Sequence, residues 1–326
     1  MLLAVLLSVA ASCCTAASSI CQRLGAASLP RRESAALPRR GSAALPRRGG
    51  AGRFDAGRQD ARRFDPLLVF RLARRPVWLL GFCGMLAGFA CQLTALHFGP
   101  LALVQPILAI ELLFVFGYLA LRGPPGERRA RWREWGAAIA MSAGIGVFLR
   151  AAAPTGGHEH AGALAWWLAG LAAAAATAAA IAAAVGGSPT RRAAWLGIAT
   201  GIAWGFVAAV IKELSSHLAG GPTAIFATWS PYALAVTGAA AMLLTAHAMA
   251  AGPLAASQPG FTIGDPATAI LLGALLFGEH LGGSPAGLAA EVAGLIALAV
   301  GIWTLSGSEL ITETSRGGER RDLVSP

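Results

Sequence analysis

Nine apolar runs, at about 2–21, 76–96, 99–121, 135–150, 163–185, 194–211, 229–250, 253–277 and 286–306, divide this chain of 326 residues. A helix needs about 20 apolar residues to cross a hydrocarbon layer about 30 Å thick, and each run approaches or exceeds that length. Lipid offers no partner to a free N–H or C=O, so such runs must close their backbone hydrogen bonds internally, as helices. The expected fold class is therefore an all-α polytopic membrane protein with about nine transmembrane helices in the lipid bilayer. Composition agrees, with 56% hydrophobic and only 13% charged residues, where a soluble domain carries about a quarter charged. The first run is read as an uncleaved span, because arginines follow it rather than precede it. Cys13, Cys14, Cys21, Cys83 and Cys91 all lie in apolar segments without a Cys-x-x-Cys pair. They are read as small packing residues, and no cofactor is expected.

Basic residues give these runs an orientation. With loops alternating between sides, 24 of the 26 fall on one side. Fourteen arginines lie in residues 23–75; Arg122, Arg128, Arg129, Arg131, Arg133, Arg191, Arg192, Arg316, Arg320 and Arg321 make up the rest. Only Arg150 and Lys212 fall opposite. The expectation is a multi-pass protein of the cell membrane, N-terminus outside and C-terminus cytoplasmic. Residues 23–75 repeat Leu-Pro-Arg-Arg at 29, 37 and 45 and have little to bury, so they read as a disordered, Arg/Pro-rich cytoplasmic linker. This sidedness explains the net charge of +10 without a nucleic-acid partner.

The least regular span is the eighth, entered by Gly252-Pro253-Leu254-Ala255-Ala256-Ser257-Gln258-Pro259 and continuing through Gly260, Thr262, Gly264, Asp265 and Pro266. Pro259 and Pro266 each remove a helix N–H and strand the carbonyl four residues back. Pro266 also pushes Asp265 away from the helical region, so Asp265 is expected to N-cap a second half-helix starting at Pro266. A span broken near its middle is tolerated only where protein buries it or water lines it, which marks a substrate or ion site.

This stretch has an earlier echo in Gly99-Pro100-Leu101-Ala102-Leu103-Val104-Gln105-Pro106, with six identities in eight places at an offset of 153 residues. Glu111 follows the first copy much as Asp265 follows the second. Both acids count to about 18 to 20 Å deep along a helix. Because the copies enter from opposite faces, the duplication reads as inverted, five spans followed by four. The expected organisation is a first repeat over 1–185, a second over 186–306 and a cytoplasmic tail over 307–326.

On these residues the chain resembles the drug/metabolite transporter superfamily. Gly88, Gln92 and Phe98-Gly99-Pro100-Leu101 leading to Pro106 are most similar to the nine-span NIPA-type magnesium transporter branch. Pro259 and the closing Phe277-Gly278-Glu279 resemble that branch and the EamA-like carriers. The resemblance implies a paired-repeat carrier fold, with Pro106 and Pro259 as matched positions.

A carboxylate at bilayer depth persists if it is paired, protonated or wetted. Glu111 and Asp265 are therefore candidates for the substrate or ion path, the bland alternatives being a buried hydrogen bond and an N-cap. Gln105, Gln258, Gln92 and Thr262 are candidate path-lining groups, against plain helix-to-helix bonding. Glu291 is expected at an interface, and His158-Glu159-His160 in a solvated loop. Gly197, Gly201 and Gly205 are expected to form a close-packed helix face, and Trp204 to pack inside a span. No hydrolase, metalloprotease or nucleotide-loop motif is present, so an enzyme is not expected. The reading is a secondary transporter moving a small metabolite or cation by alternating access, with a homodimer allowed. The alternatives are a NIPA-like magnesium transporter and a non-transporting membrane scaffold.

Overall fold

The computed structural model describes residues 1–27, 76–122, 131–152, 157–158, 160–279 and 284–308. The Leu-Pro-Arg-Arg repeats, Glu159, His280 and the tail beyond residue 308 lie outside them. Among the described residues there is no strand, and nine helical segments are long and apolar enough to span a membrane. The protein is an all-α polytopic membrane protein, with the spans where hydropathy placed them.

The helices are α1 (Leu2–Ala27), α2 (Pro76–Phe98), α3 (Leu101–Leu108), α4 (Glu111–Arg122), α5 (Trp132–Ala152), α6 (Ala163–Ala184), α7 (Pro189–Ser216), the short α8 (Gly221–Phe226), α9 (Ser230–Ala251), α10 (Leu254–Phe277) and α11 (Pro285–Ser306). Several start with a proline at the first or second position, where no N–H is needed. Ser188 and Ser284 cap α7 and α11 by accepting from the amides of Arg191 and Gly287. Residues 1–17 and 85–308 belong to one compact unit; Ser18–Gly84 group separately, and their described part is the end of α1 and the start of α2.

Within the first unit the bundle is apolar on its outer faces as well as in its core. Leu288, Val292, Ile296, Val300 and Trp303 form an exposed stripe along α11, and Leu164, Trp167, Leu168 and Leu171 another along α6. Such faces suit lipid, which solvates Leu and Val as well as a protein core does. Inside, small residues bring backbones together. α7 packs most extensively on α10, and α5 on α11. A Cβ at Gly197 would collide with the carbonyl of Ser257, one at Gly201 would stand 2.8 Å from Gly260 O, and one at Gly205 would stand 2.7 Å from Asp265 O. Gly197, Gly201 and Gly205 thus form the close-packed face their spacing predicts. In the α5–α11 seam, a Cβ at Gly144 would lie 2.6 Å from Leu298 N, and one at Gly294 2.7 Å from Phe148 N.

Two contacts recur in register. Ser12 of α1 donates its hydroxyl to Ile107 O at 3.1 Å and reaches Leu108 O at 3.5 Å. Gly201 of α7 faces Gly260 O and Phe261 O, the positions 153 residues later. Likewise Gly99 abuts Ala4, and Gly252 abuts Ala193. Ala4 and Ser12 stand to Ala193 and Gly201 at one constant offset.

The prolines act differently from expectation. α10 runs unbroken from Leu254 to Phe277 through both Pro259 and Pro266, so Asp265 is not an N-cap and no second half-helix begins at Pro266. The glycine face of α7 lies against α10 at Gly260, Gly264 and Asp265, and that backing supports the continuous helix across its missing hydrogen bonds. Span three is the one that breaks. α3 carries Pro106 inside it, ends at Leu108, and gives way to a turn at Ala109–Ile110 before α4 starts at Glu111. In that turn Ile110 donates to Ile107 O and Leu113 to Ile110 O, bonds of the tighter three-residue kind.

Candidate functional site

One contact between α3 and α10 relates the break in span three to the acid of α10 by helix arithmetic. Where α3 starts, the Leu101 Cβ stands 3.2 Å from the position a Cβ at Gly273 would take, and Ala102 and Ile270 share a cluster one step further in. Eight residues along each helix from that contact, about 12 Å, lie Ala109 in the turn and Asp265 in α10. Glu111, half-buried, opens α4 just beyond.

Six buried side-chain atoms lack a partner among the described residues, on Gln105, Trp166, Glu213, Asp265, Glu291 and Ser306, and two of them belong to these two helices. Gln105 is 3% exposed and its Nε2 has no partner. Oδ1 of Asp265 is likewise buried without one. A buried amide donor on α3 and a buried carboxylate acceptor on α10, each unsatisfied, cost free energy unless something polar completes them. Gln258 and Thr262 play a plainer part: the Thr262 hydroxyl donates to Gln258 O at 3.0 Å, back onto its own helix. Gln92 is half-buried in α2. Trp204 donates its indole N–H to Thr245 at 3.0 Å, which accounts for a polar aromatic inside a span by packing.

Glu291 lies two turns into α11. It is 2% exposed, and its Oε1 has no partner. The reason is the glycine seam, which draws α11 so close to α5 that a residue only two turns into the helix is enclosed.

A second polar group gathers around the end of α7. Lys212 donates to Leu96 O at 2.5 Å and Gly99 O at 2.8 Å. Glu279, just past α10, accepts from Leu101 N at 2.6 Å and Ala102 N at 2.9 Å. Glu213 pairs with His160 Nδ1 at 3.1 Å, His97 Nδ1 bonds Ser215 O at 2.8 Å, and the His160 and His217 rings stand 4.8 Å apart. His160, in the loop before α6, is thus a hydrogen-bond partner of Glu213. Burial pushes the Glu279 carboxyl above its usual range, while the Ala102 and Leu101 amides and the Lys212 ammonium pull it partway back. Neither Lys212 nor Glu279 stands out as a site residue in the sequence, although Lys212 is the chain's one lysine and Glu279 closes a recognisable motif. At the other end of α11, Ser308 donates to Glu134 Oε1 at 2.5 Å, while Glu134 Oε2 takes the Arg131 amide at 2.7 Å. Among the described residues no three His, Cys, Asp or Glu side chains converge as a metal site.

The chain is similar to an uncharacterized protein of Corynebacterium glutamicum, with 29% identity over 223 residues, covering 67% of this chain and 74% of that one. No protein-family profile matches the chain, and no solved structure matches it.

Proposed function

We propose that this membrane protein is a secondary transporter of the drug/metabolite transporter kind, moving a small polar or cationic solute by alternating access. The observation that carries the reading is the pair of unsatisfied groups, Gln105 Nε2 and Asp265 Oδ1, on packed helices at bilayer depth. A buried polar group without a partner calls for one, and a polar solute between α3 and α10 would supply it to both Gln105 and Asp265. A donor from Gln105 and an acceptor from Asp265 suit a solute carrying both an acceptor and a protonated amine or hydroxyl. Glu111 and the open turn beside it extend the same path, with Gln92, Gln258 and Thr262 along its approaches.

The recurring contacts at Ser12 with Ile107 and Gly201 with Gly260 support a duplicated architecture, which in alternating-access carriers is inverted about the midplane. The arginine distribution supports an N-terminus outside and a cytoplasmic C-terminus in the cell membrane. An ion gradient or the solute's own gradient drives movement, and no chemical reaction is assigned.

Uptake into proteoliposomes, from a panel of amphipathic amines, amino acids, nucleobases and divalent cations with and without a pH gradient, tests this directly. Flux of one class that disappears in Asp265→Asn with folding preserved is the expected result. A chain that moves none of them in either direction overturns the carrier reading, and flux confined to divalent cations replaces the substrate class with a metal ion.

A further inference from the structure

The eight-residue helix α3 is hinged at one end and latched at the other. Its hinge is the Ala109–Ile110 turn, where the ladder to α4 is interrupted. Its latch is Glu279, 5% exposed, whose two oxygens take the first two amides of the helix, Leu101 and Ala102. The next two amides, Leu103 and Val104, turn to Pro100 O at 3.1 Å each. Pro100 has no N–H to leave open, so the three amides this helix start exposes, Leu101, Ala102 and Leu103, are all filled, two of them by a side chain from just past α10.

Lys212 completes the arrangement. It caps the last carbonyls of α2 while Glu279 caps the first amides of α3, so each charge sits at the helix end whose dipole it complements. The turn at Phe98–Pro100 is held between them. Space for the carboxylate depends on Gly273, where a Cβ would collide with Glu279 Oε2. Gly278, at φ 62°, bends the chain so that the Glu279 amide donates to Gly273 O at 3.1 Å, which aims the side chain at α3.

This joint differs in kind from the glycine seams. There backbone lies on backbone, and nothing can part without opening a void. Here two side chains reach across, and water can replace every bond they make. Gln105 lies one helical turn beyond Leu101, on the inner side of the contact where Leu101 meets Gly273.

We propose that Glu279 and Lys212 form a releasable clasp that shuts this end of the path, and that the path opens to that side when the Glu279 carboxylate leaves the α3 amides and α3 swings about the Ala109–Ile110 turn. The role rests on the carrier reading; the test does not need a transported solute. Val104, fully buried one turn inside the clasp, is replaced by cysteine in a chain whose five native cysteines are alanine. Reaction with a charged, water-soluble maleimide is then timed in nanodiscs. Modification is slow with Glu279 intact and speeds up by roughly tenfold or more in Glu279→Ala, the scale of losing two buried hydrogen bonds. Gly273→Ala, which keeps the acid but takes its space, produces the same acceleration. A cysteine at Ile302, buried in the α5–α11 seam, stays slow in both. Unchanged modification at position 104 overturns the clasp, as does a parallel rise at 302, which reports general loosening. If position 104 opens while no solute is carried, the carrier reading fails and the clasp stands. If flux is normal and position 104 is indifferent to Glu279, the reverse holds.

Discussion

The Ser12 hydroxyl donates to the carbonyl of Ile107 at 3.1 Å, 95 residues away and beside the one interrupted span. Pro106 has already cost the ladder an amide there, and the turn that follows leaves carbonyls poorly served. Ser12→Ala should therefore destabilise the chain by about 0.5 to 1.5 kcal/mol, the net scale of one buried hydrogen bond within a membrane. Thermal unfolding in nanodiscs measures it, and an unaltered midpoint would remove Ser12 from the account of the break.

The matching position on α7 is a glycine, and it should tolerate far less. Gly201→Val would drive a branched side chain into Gly260 O and Phe261 O, at a cost of at least about 1 to 3 kcal/mol of overpacking. Gly146, with open space around its Cβ position, is the control, and Gly146→Ala should be near neutral. Comparable losses at both positions would show that the seam is not specific.

Asp265→Asn keeps the shape of the side chain while removing its capacity for charge. Uptake should fall by roughly tenfold or more, as expected for losing one charged partner at a binding group, with the unfolding midpoint held or raised. Gln105→Leu should also depress uptake, chiefly by raising the solute concentration needed for half-maximal flux. Loss of flux accompanied by loss of folded protein would leave these residues as packing only.

Acidity should tighten the clasp. Glu279 faces Lys212 from α7, the Leu101 and Ala102 amides from α3, and Gly157 with neighbouring His158 from the segment before α6. Burial is the largest influence and raises its carboxyl, whereas in an opened, hydrated state the ordinary range returns. The closed form thus holds the proton more tightly, so its advantage is fully present below the usual carboxylate range and is lost as pH climbs through the raised value. A protonated carboxyl still accepts through its carbonyl oxygen. Modification of the cysteine at position 104 should accelerate with rising pH in the parent and stay flat in Glu279→Gln. Lys212→Met removes an influence that lowers the carboxyl, so it should move the rise to higher pH.

Glu291→Met should leave stability unchanged or raise it by about 1 to 4 kcal/mol, since an enclosed acid without a partner is replaced by an apolar side chain of similar length. Calorimetry in a defined lipid decides the sign. A marked loss of stability would mean that Glu291 is satisfied by a bound water.

The spans were legible in the sequence because lipid imposes length and hydropathy on every one of them, and the close face of Gly197, Gly201 and Gly205 was legible because four-residue spacing stacks residues on one side of a helix. The place of the break was not. Pro259 and Pro266 outnumber the lone Pro106, yet whether a proline interrupts a helix depends on its neighbour, and the chain alone does not say that α10 rests on glycines while α3 rests on a serine. The enclosure of Glu291 was not legible for the same reason: position along one helix does not say how near the next one comes. Glu279 and Lys212 escaped notice because their partners are backbone atoms, and backbone atoms carry no signature in a sequence.

The seams of α7 with α10 and of α5 with α11 bring main chain onto main chain at several successive turns. Rods joined so tightly travel as single pieces, because a shift of even one ångström along the joint would set carbonyl against carbonyl. The turn around Ala109 and Ile110, where the ladder of span three is interrupted, is the slender part at which such a bundle can yield.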